Sequence, residues 1–275
     1  MNFKTGIAEN NELRFYFCDS TKITKEILTH GEITPNSLIP LINTITITGI
    51  MSLMDKKNPK IITEIKTSGE LGKIIAICEG NEVKGLIENR YGNIEINNKK
   101  FDIKKSINHG MMKIYKDYGL KQPHLSEIEL INGDIINDFC YYFATSEQIK
   151  TAIISGIYFD DNMEFQKSAT LLIQAMPQTN EETILKLETR IKDIKNISKL
   201  INDIGLDELL KKLFDDYKIL DEKNLNYNCD CNEEKYLTIL KMLNEETKKE
   251  LKQDQEITIN CDYCLKEYKI DTKKI

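Results

Sequence analysis

The sequence predicts an α+β protein with a mixed sheet-and-helix N-terminal core, a charged helical linker and a small cysteine-rich C-terminal domain. Three observations predict it. Strand-like and helix-like patterns intermingle up to Pro177. Charge density then rises: residues 1–177 hold 20 Lys and Arg with 22 Asp and Glu, while 178–226 and 227–275 each place 9 and 11 in only 49 residues. Finally, four of the seven cysteines fall in the last block as two close pairs. The expected boundaries are therefore a core at 1–177, a linker at 178–226 and a cysteine domain at 227–275. The first block has apolar material for a core; the other two have less to set against chain entropy.

Within the core, alternation or β-branched content predicts strands over Leu13–Cys18, Ile61–Lys66, Ile74–Cys78, Val83–Glu88, Met111–Tyr115, Ala152–Tyr158 and Ala169–Met176. Gly72, Gly80-Asn81, Gly92-Asn93 and Asn132-Gly133 read as turns between them. Asp134 is placed to cap a helix through Phe143, with Ile135, Ile136, Phe139, Tyr142 and Phe143 on one stripe. Pro35–Met54 reads two ways: Leu38, Leu41, Ile42 and Ile45 keep helical spacing, whereas Thr44–Thr48 alternates like a strand.

In the linker, Thr179 and Glu182 have capping-box spacing. Ile184, Leu187, Ile191, Ile194, Ile197, Ile201 and Ile204 then recur at steps of three and four, predicting one helix over 179–204 with Gly205 as its stop. A second helix is expected near Asp207–Tyr217. Such helices, each with one apolar stripe, are marginal alone in water and need a docking surface. Ile184, Leu187, Ile191, Ile194 and Ile201 are the candidates for a stripe that covers the core.

The last block opens on Cys229 and Cys231 as C-x-C and continues into helices near Glu233–Leu243 and Glu245–Lys252. Ile257–Ile259 and Tyr268–Ile270 read as a hairpin whose turn carries Cys261 and Cys264 as C-x-x-C. Twenty-nine residues separate the two pairs. Four thiolates in two close pairs match the tetrahedral four-cysteine donor set of a zinc domain, with Zn–S bonds near 2.3 Å. A structural zinc site contributes on the order of 10 kcal/mol, the stability this polar block lacks. The chemistry leaves two uses open. One is a purely structural ion; the other is a redox switch, because bound sulfur is held as the thiolate that oxidants attack. Cys18, Cys78 and Cys140 sit at apolar positions and read as small buried hydrophobes.

Several function classes are disfavoured. Net charge is −6 and the pI about 5.4, which argues against a phosphate-binding nucleic-acid partner. The N-terminus lacks the apolar run of a signal peptide, and no stretch is expected to reach the ~20 apolar residues of a membrane span. A cytoplasmic protein is expected, where clustered cysteines are more often metal ligands or redox centres than structural disulfides. His30, His109 and His124, the only histidines, lie in no catalytic motif, so an enzyme is not expected.

Together these segments resemble the redox-regulated bacterial chaperones of the heat-shock protein 33 family. The resemblance rests on Tyr227–Cys231, Cys261–Tyr268 and the gap between them. It continues in Asp138–Gln148, Leu171–Pro177, Thr67–Gly72 and Lys116–Leu120, in the family's order. Asn244 stands where the family often has Gly, and Phe165–Thr170 lacks a usual glycine pair. The resemblance implies that Pro35–Met54 is a helix and that Cys229, Cys231, Cys261 and Cys264 bind Zn(2+) in a reduced, inactive monomer. It further implies oxidation to Cys229–Cys231 and Cys261–Cys264 disulfides, zinc release and linker unfolding. The product would be a homodimeric, ATP-independent holdase for unfolding client proteins under oxidative stress.

Overall fold

The computed structural model describes residues 1–92, 96–97, 100–101 and 103–275. Of the turn expected at Gly92-Asn93, Gly92 is described and Asn93 lies outside these residues. The chain runs β1 (Asn2–Ala8), β2 (Leu13–Asp19), α1 (Thr21–His30), α2 (Pro35–Met54), β3 (Lys60–Thr67), β4 (Lys73–Glu79) and β5 (Glu82–Ile87). After β6 (Ile96–Asn97), β7 (Lys100–Phe101) and α3 (Ile103–Ile107) come β8 (Gly110–Asp117), β9 (His124–Glu129), α4 (Ile135–Thr145), β10 (Thr151–Phe159) and β11 (Phe165–Ala175). The C-terminal part holds α5 (Glu181–Lys192), α6 (Ile197–Leu213), β12 (Tyr217–Asn224), β13 (Asn226–Tyr227), α7 (Glu233–Lys241), α8 (Glu245–Leu251), β14 (Glu256–Asn260) and β15 (Glu267–Asp271).

Two sheets enclose one helix. A five-stranded sheet has the order β10-β11-β2-β1-β12, and a six-stranded sheet the order β13-β5-β4-β3-β8-β9. All pairings within them are antiparallel except β13 with β5. Helix α2 touches strands of both sheets and fills the space between them. That position explains its pattern. A helix buried all round shows no polar face, so spacing cannot distinguish it from a strand. Its threonines are accommodated because the Thr44 and Thr48 hydroxyls donate to the carbonyls of Pro40 and Thr44, both at 2.7 Å. This helix also overturns the expectation that no stretch has membrane-spanning length. An 18-residue window of this 20-residue helix has a mean hydropathy of 1.6, long and apolar enough, but the protein itself buries 89% of that window.

All seven strands read from the sequence are present, and Asp134 caps α4 by accepting from the Asn137 N–H. Of the strands in the two sheets, β1 and the edge strands β9, β12 and β13 were not legible, whereas the edge strand β10 was. β1 packs so closely that a Cβ on Gly6 would lie 2.1 Å from the Phe15 ring, and its glycine and polar residues hide the strand.

The linker region departs from expectation in three ways. The cap is Asn180, whose side chain accepts from the Thr183 N–H; the Thr179 hydroxyl instead donates to the Glu12 and Met176 carbonyls. The helix expected over 179–204 is two, interrupted at Asp193–Asn196, where Asn196 caps the second. Gly205, at φ +80°, does break the helix, and the piece after it stops at Leu213 rather than Tyr217. Residues 217–224 are a strand, not helix, and pair with β1 at the margin of the five-stranded sheet. Lys218, Asp221, Glu222 and Lys223 made this segment look like linker; charges of that kind protect an exposed sheet edge.

The five-stranded sheet is apolar on both faces. On β2, Tyr16 and Cys18 face the α2 core, while Leu13, Phe15 and Phe17 join a second cluster beneath α5 and α6. On β11, Leu172 faces α2, and Ala169, Leu171 and Ile173 face the linker helices. The period-two geometry of a strand makes this division, so every apolar residue of β2 has a partner on one side or the other.

Candidate metal centre

The sulfurs of Cys229, Cys231, Cys261 and Cys264 all lie within 4.8 Å of one another. They arrive from two loops whose conformations the sequence sets locally. The first leaves the core through β13, where Asn226 and Tyr227 pair with Glu82 and Val83 and the Asn228 N–H donates to the Val83 carbonyl at 3.1 Å. Asn232 follows Cys231 at once and caps α7 by accepting from the Lys235 N–H at 2.9 Å. C-x-C is thus held between a strand end and a helix start.

The second loop is the β14–β15 turn. The Leu265 N–H donates to the Cys261 carbonyl at 2.8 Å, and the Cys261 N–H to the Lys266 carbonyl at 3.0 Å. Leu265 has φ +58°, the left-handed conformation that turns the chain back after Cys264. Asn244, in place of a glycine, is an N-cap at φ −66° whose side chain accepts from the Thr247 N–H, so that position needs no glycine freedom.

Two sulfur contacts run between the pairs, Cys229 to Cys261 at 3.5 Å and Cys231 to Cys264 at 3.4 Å. The edge of a tetrahedron with 2.3 Å bonds is about 3.8 Å, so these spacings suit four thiolates around one ion. They do not suit four thiolates alone. Like charges at such a distance repel by about 5 kcal/mol per pair at an effective dielectric near 20. Accordingly, burial and neighbouring sulfurs push the Cys229 thiol well above its usual range, and burial also raises Cys264. Cys261 moves down: burial opposes its ionisation, but donors from Tyr236 and the backbone of Tyr263 and Cys264 outweigh it. An all-sulfur set of this geometry fits a soft divalent cation such as zinc.

A ring of groups ties the centre to the core. The Asp230 carboxylate pairs with Lys84 of β5 at 2.7 Å and with Lys235 of α7, and these hydrogen bonds hold its pKa far below the usual range. The Lys84 ammonium also lies 5.2 Å from the centroid of the Tyr263 ring. The His30 and Tyr227 rings are 5.3 Å apart, and the Tyr268 hydroxyl donates to the Cys231 carbonyl at 2.9 Å. Sequence reasoning missed Lys84, Tyr227, Asp230 and Tyr268 as supporting groups. Tyr227, Asp230 and Tyr268 lie in the segments that carry the resemblance, but no supporting role was read for them; Lys84 is distant in sequence.

The remaining cysteines are elsewhere. Cys18 and Cys78 are buried and Cys140 half-buried, and burial pushes their thiols up to about 12, 11 and 11. The four-cysteine group contains none of the three histidines. On the linker, Leu187 and Ile201 are buried and Ile191 and Ile194 half-buried in the cluster beneath α5 and α6; Ile184 is half-buried and lies outside that cluster. Deeper cover comes from Ile197, Leu209, Leu210 and Leu213, none of which was among the candidates for the covering stripe.

Comparison with known proteins places this arrangement. The family model described as Hsp33 protein matches residues 3–271. A 33 kDa chaperonin of Oceanobacillus iheyensis is 30% identical, over 95% of this chain and 93% of its own length. One from Caldanaerobacter subterraneus is also 30% identical, over 99% and 95%. One from Lactococcus lactis subsp. cremoris is 28% identical, over 98% and 96%. The crystal structure of the 33 kDa chaperonin of Thermotoga maritima shares the fold, with a TM-score of 0.90 at 23% identity, covering 99% of this chain and 95% of that one. The paired cysteines, the two-sheet core and a match running nearly end to end agree: the chain belongs to the Hsp33 family of chaperones.

Proposed function

We propose that this chain is a redox-regulated, ATP-independent holdase, zinc-bound and inactive when reduced. One observation carries the reading. A cluster of four sulfurs anchors the C-terminal segment, and an apolar sheet face lies beneath the linker helices that precede that segment.

Cys229, Cys231, Cys261 and Cys264 would hold the metal; when bound, zinc cross-links the two loops and keeps the sulfurs as thiolates. Peroxide is the oxidant considered. The Cys261 and Cys264 thiolates form one S–S bond and give up two electrons, which one peroxide takes up with two protons from solvent to become two waters; Cys229 and Cys231 then do the same with a second peroxide. The cross-pair contacts of 3.5 and 3.4 Å exist only while the tail is folded. Partners close in sequence stay near one another after it loosens, because short loops are cheap to close. Local pairing is therefore the expected end point. Each bond formed removes two donors, so the metal is not retained.

With its cross-link gone, the segment over 227–275 loses a folding energy on the order of 10 kcal/mol. Its hold on the core through Asp230, Lys84 and Tyr227 goes with it. Linker helices α5 and α6 then leave the sheet and uncover Leu13, Phe15, Phe17, Leu171 and Ile173. An apolar face of this kind is what unfolding clients bind, and the charged linker keeps the complex dispersed. In this reading 1–177 is the core, 178–226 the linker and 227–275 the switch. An oxidised homodimer and a reduced monomer complete it. A cytoplasmic setting fits, since a reducing poise keeps the thiols metal-competent until oxidant arrives.

The test is to treat purified protein with peroxide under mild heating and follow zinc release, free thiols and aggregation of a thermally unfolding substrate. Two disulfides, one released zinc and a rise in suppression are expected. Full oxidation without that rise would reject the switch.

A further inference from the structure

We propose that the seam between the docked linker and the core is a binding site for a single-chain amphiphilic anion, such as a medium-chain carboxylate. A groove of about 400 Å³ runs between α4 and α5. Its walls are Tyr141 and Ala144 on one side and Ile184 and Ile191 on the other, over a floor that includes Ala152 and Ile173. The small side chains of Ala144, Ala152 and Ala175 leave the space open. The volume falls within the roughly 300–1,000 Å³ of small-ligand sites.

The groove is polarised. It meets a second hollow of about 440 Å³ at Lys150, Ala175 and Ile184, and Arg14 lines that hollow. Neither Arg14 nor Lys150 forms an ion pair with a described residue, and Arg14 is half-buried. Glu188 lies on the rim of the apolar groove, one helical turn beyond Ile184. An anionic head is thus attracted to the Arg14–Lys150 end and repelled from the Glu188 end, while an alkyl chain fills the slot between. A client segment does not suit the position: the groove needs α5 in place as its second wall, whereas the proposed client face requires α5 to have left.

An occupant that touches both α5 and the core binds only the docked form. It therefore favours that form: at ten times its Kd the undocked fraction falls about eleven-fold. The site needs only the docked linker and not a redox switch, and the test separates the two.

Reduced, zinc-loaded full-length protein is titrated calorimetrically with decanoate and dodecanoate below their micelle concentrations, and with dodecyltrimethylammonium as the cationic control. One-to-one carboxylate binding is expected, tightening by up to about fourfold for each added methylene. The cation should bind at least tenfold more weakly than dodecanoate. Arg14→Gln with Lys150→Gln should remove that preference. Ala144→Trp, at an exposed helical position, should block the slot and abolish binding with the fold retained by circular dichroism. Hydrogen exchange over residues 181–192 should slow when dodecanoate is present. Absence of saturable binding, equal binding of the cation, or undiminished binding by Ala144→Trp would overturn the proposal.

Discussion

The Tyr227 hydroxyl lies 2.9 Å from the Tyr263 carbonyl in the second cysteine loop and 3.3 Å from the Gly85 carbonyl on β5. One buried side chain thus joins the first cysteine loop, the second loop and the core sheet. It is a structural fastener beside the four clustered cysteines, and burial pushes its own phenol above the usual range.

Tyr227→Phe leaves those carbonyls without this donor while keeping the ring against His30. A lost buried hydrogen bond costs about 1–2 kcal/mol. Local opening of residues 227–264 should rise roughly five- to thirtyfold, read as faster hydrogen exchange there with β3 and β4 unchanged.

Metal removal isolates the cross-link from the chemistry of oxidation. A strong chelator with a thiol reductant present should release zinc and make residues 229–275 susceptible to limited proteolysis, while the two-sheet core stays protected. A tail equally resistant before and after would show that it stands without the ion.

Arg190 ties α5 to its surroundings. It donates to the Leu213 carbonyl at 2.9 Å, pairs with Asp215 and reaches Glu9 at 3.4 Å, while Lys186 also pairs with Asp215. Arg190→Met keeps the aliphatic stem and removes these bonds. Linker docking should weaken by about 1–2 kcal/mol. The loss should be smaller in high salt, because the partly exposed pairs are already screened there. Proteolysis within 181–213 at two salt concentrations checks both points.

Ile191→Asn with Ile194→Asn should loosen the lid more strongly. Both side chains are half-buried in the cluster beneath α5 and α6. Losing two such contacts costs roughly 2–4 kcal/mol of docking. Suppression of aggregation by the reduced, zinc-loaded variant is the expected outcome. A variant that stays inactive with α5 protected from exchange would remove these residues from the latch.

Asp138 gives the core a pH dependence. It is buried, one carboxylate oxygen accepts from the Ile131 N–H at 2.7 Å, and the other has no hydrogen-bond partner. Burial raises its pKa from 3.8 to about 6, with Asp134 adding to the rise and the Ile131 and Asn132 N–H groups and Lys104 opposing it. A raised folded-state value means that folding favours the protonated form. Its contribution is complete below the unfolded value of 3.8 and is lost as pH rises through about 6, at most about 3 kcal/mol. Denaturant unfolding should show this slope between about pH 4 and 6, and Asp138→Asn should flatten it.

The legible parts of the molecule were those with local patterns. The seven core strands follow from alternation, α4 from Asp134, and the hairpin from the apolar residues around its cysteines. The meeting of the four cysteines was legible because two close pairs at such spacing match a single tetrahedral donor set. Where packing is non-local, the pattern was silent or misleading. Buried on all sides, α2 has no polar stripe to reveal a helix. β12 carries charges because it is an edge, and composition alone placed it with the helices. The break after Lys192 was hidden because Ile191, Ile194 and Ile197 keep their spacing across it; they stay on one side of the chain although the helix does not continue. Lys84 could not be tied to the metal centre without the fold that brings β5 to Asp230.

The return of β12 to the core sheet would shape the proposed melting of α5 and α6. Those helices hang between two fixed points, β11 ending at Ala175 and β12 starting at Tyr217. The intervening chain would remain a loop closed at both ends, with less freedom to gain than a free tail and a reach confined to the neighbourhood of the bared sheet. A client held there would meet a short polyampholyte fringe on every side, and full release of that fringe would require peeling the whole of residues 217–224 from β1. The architecture thus allows two successive degrees of opening, the first of which leaves the five-stranded sheet whole.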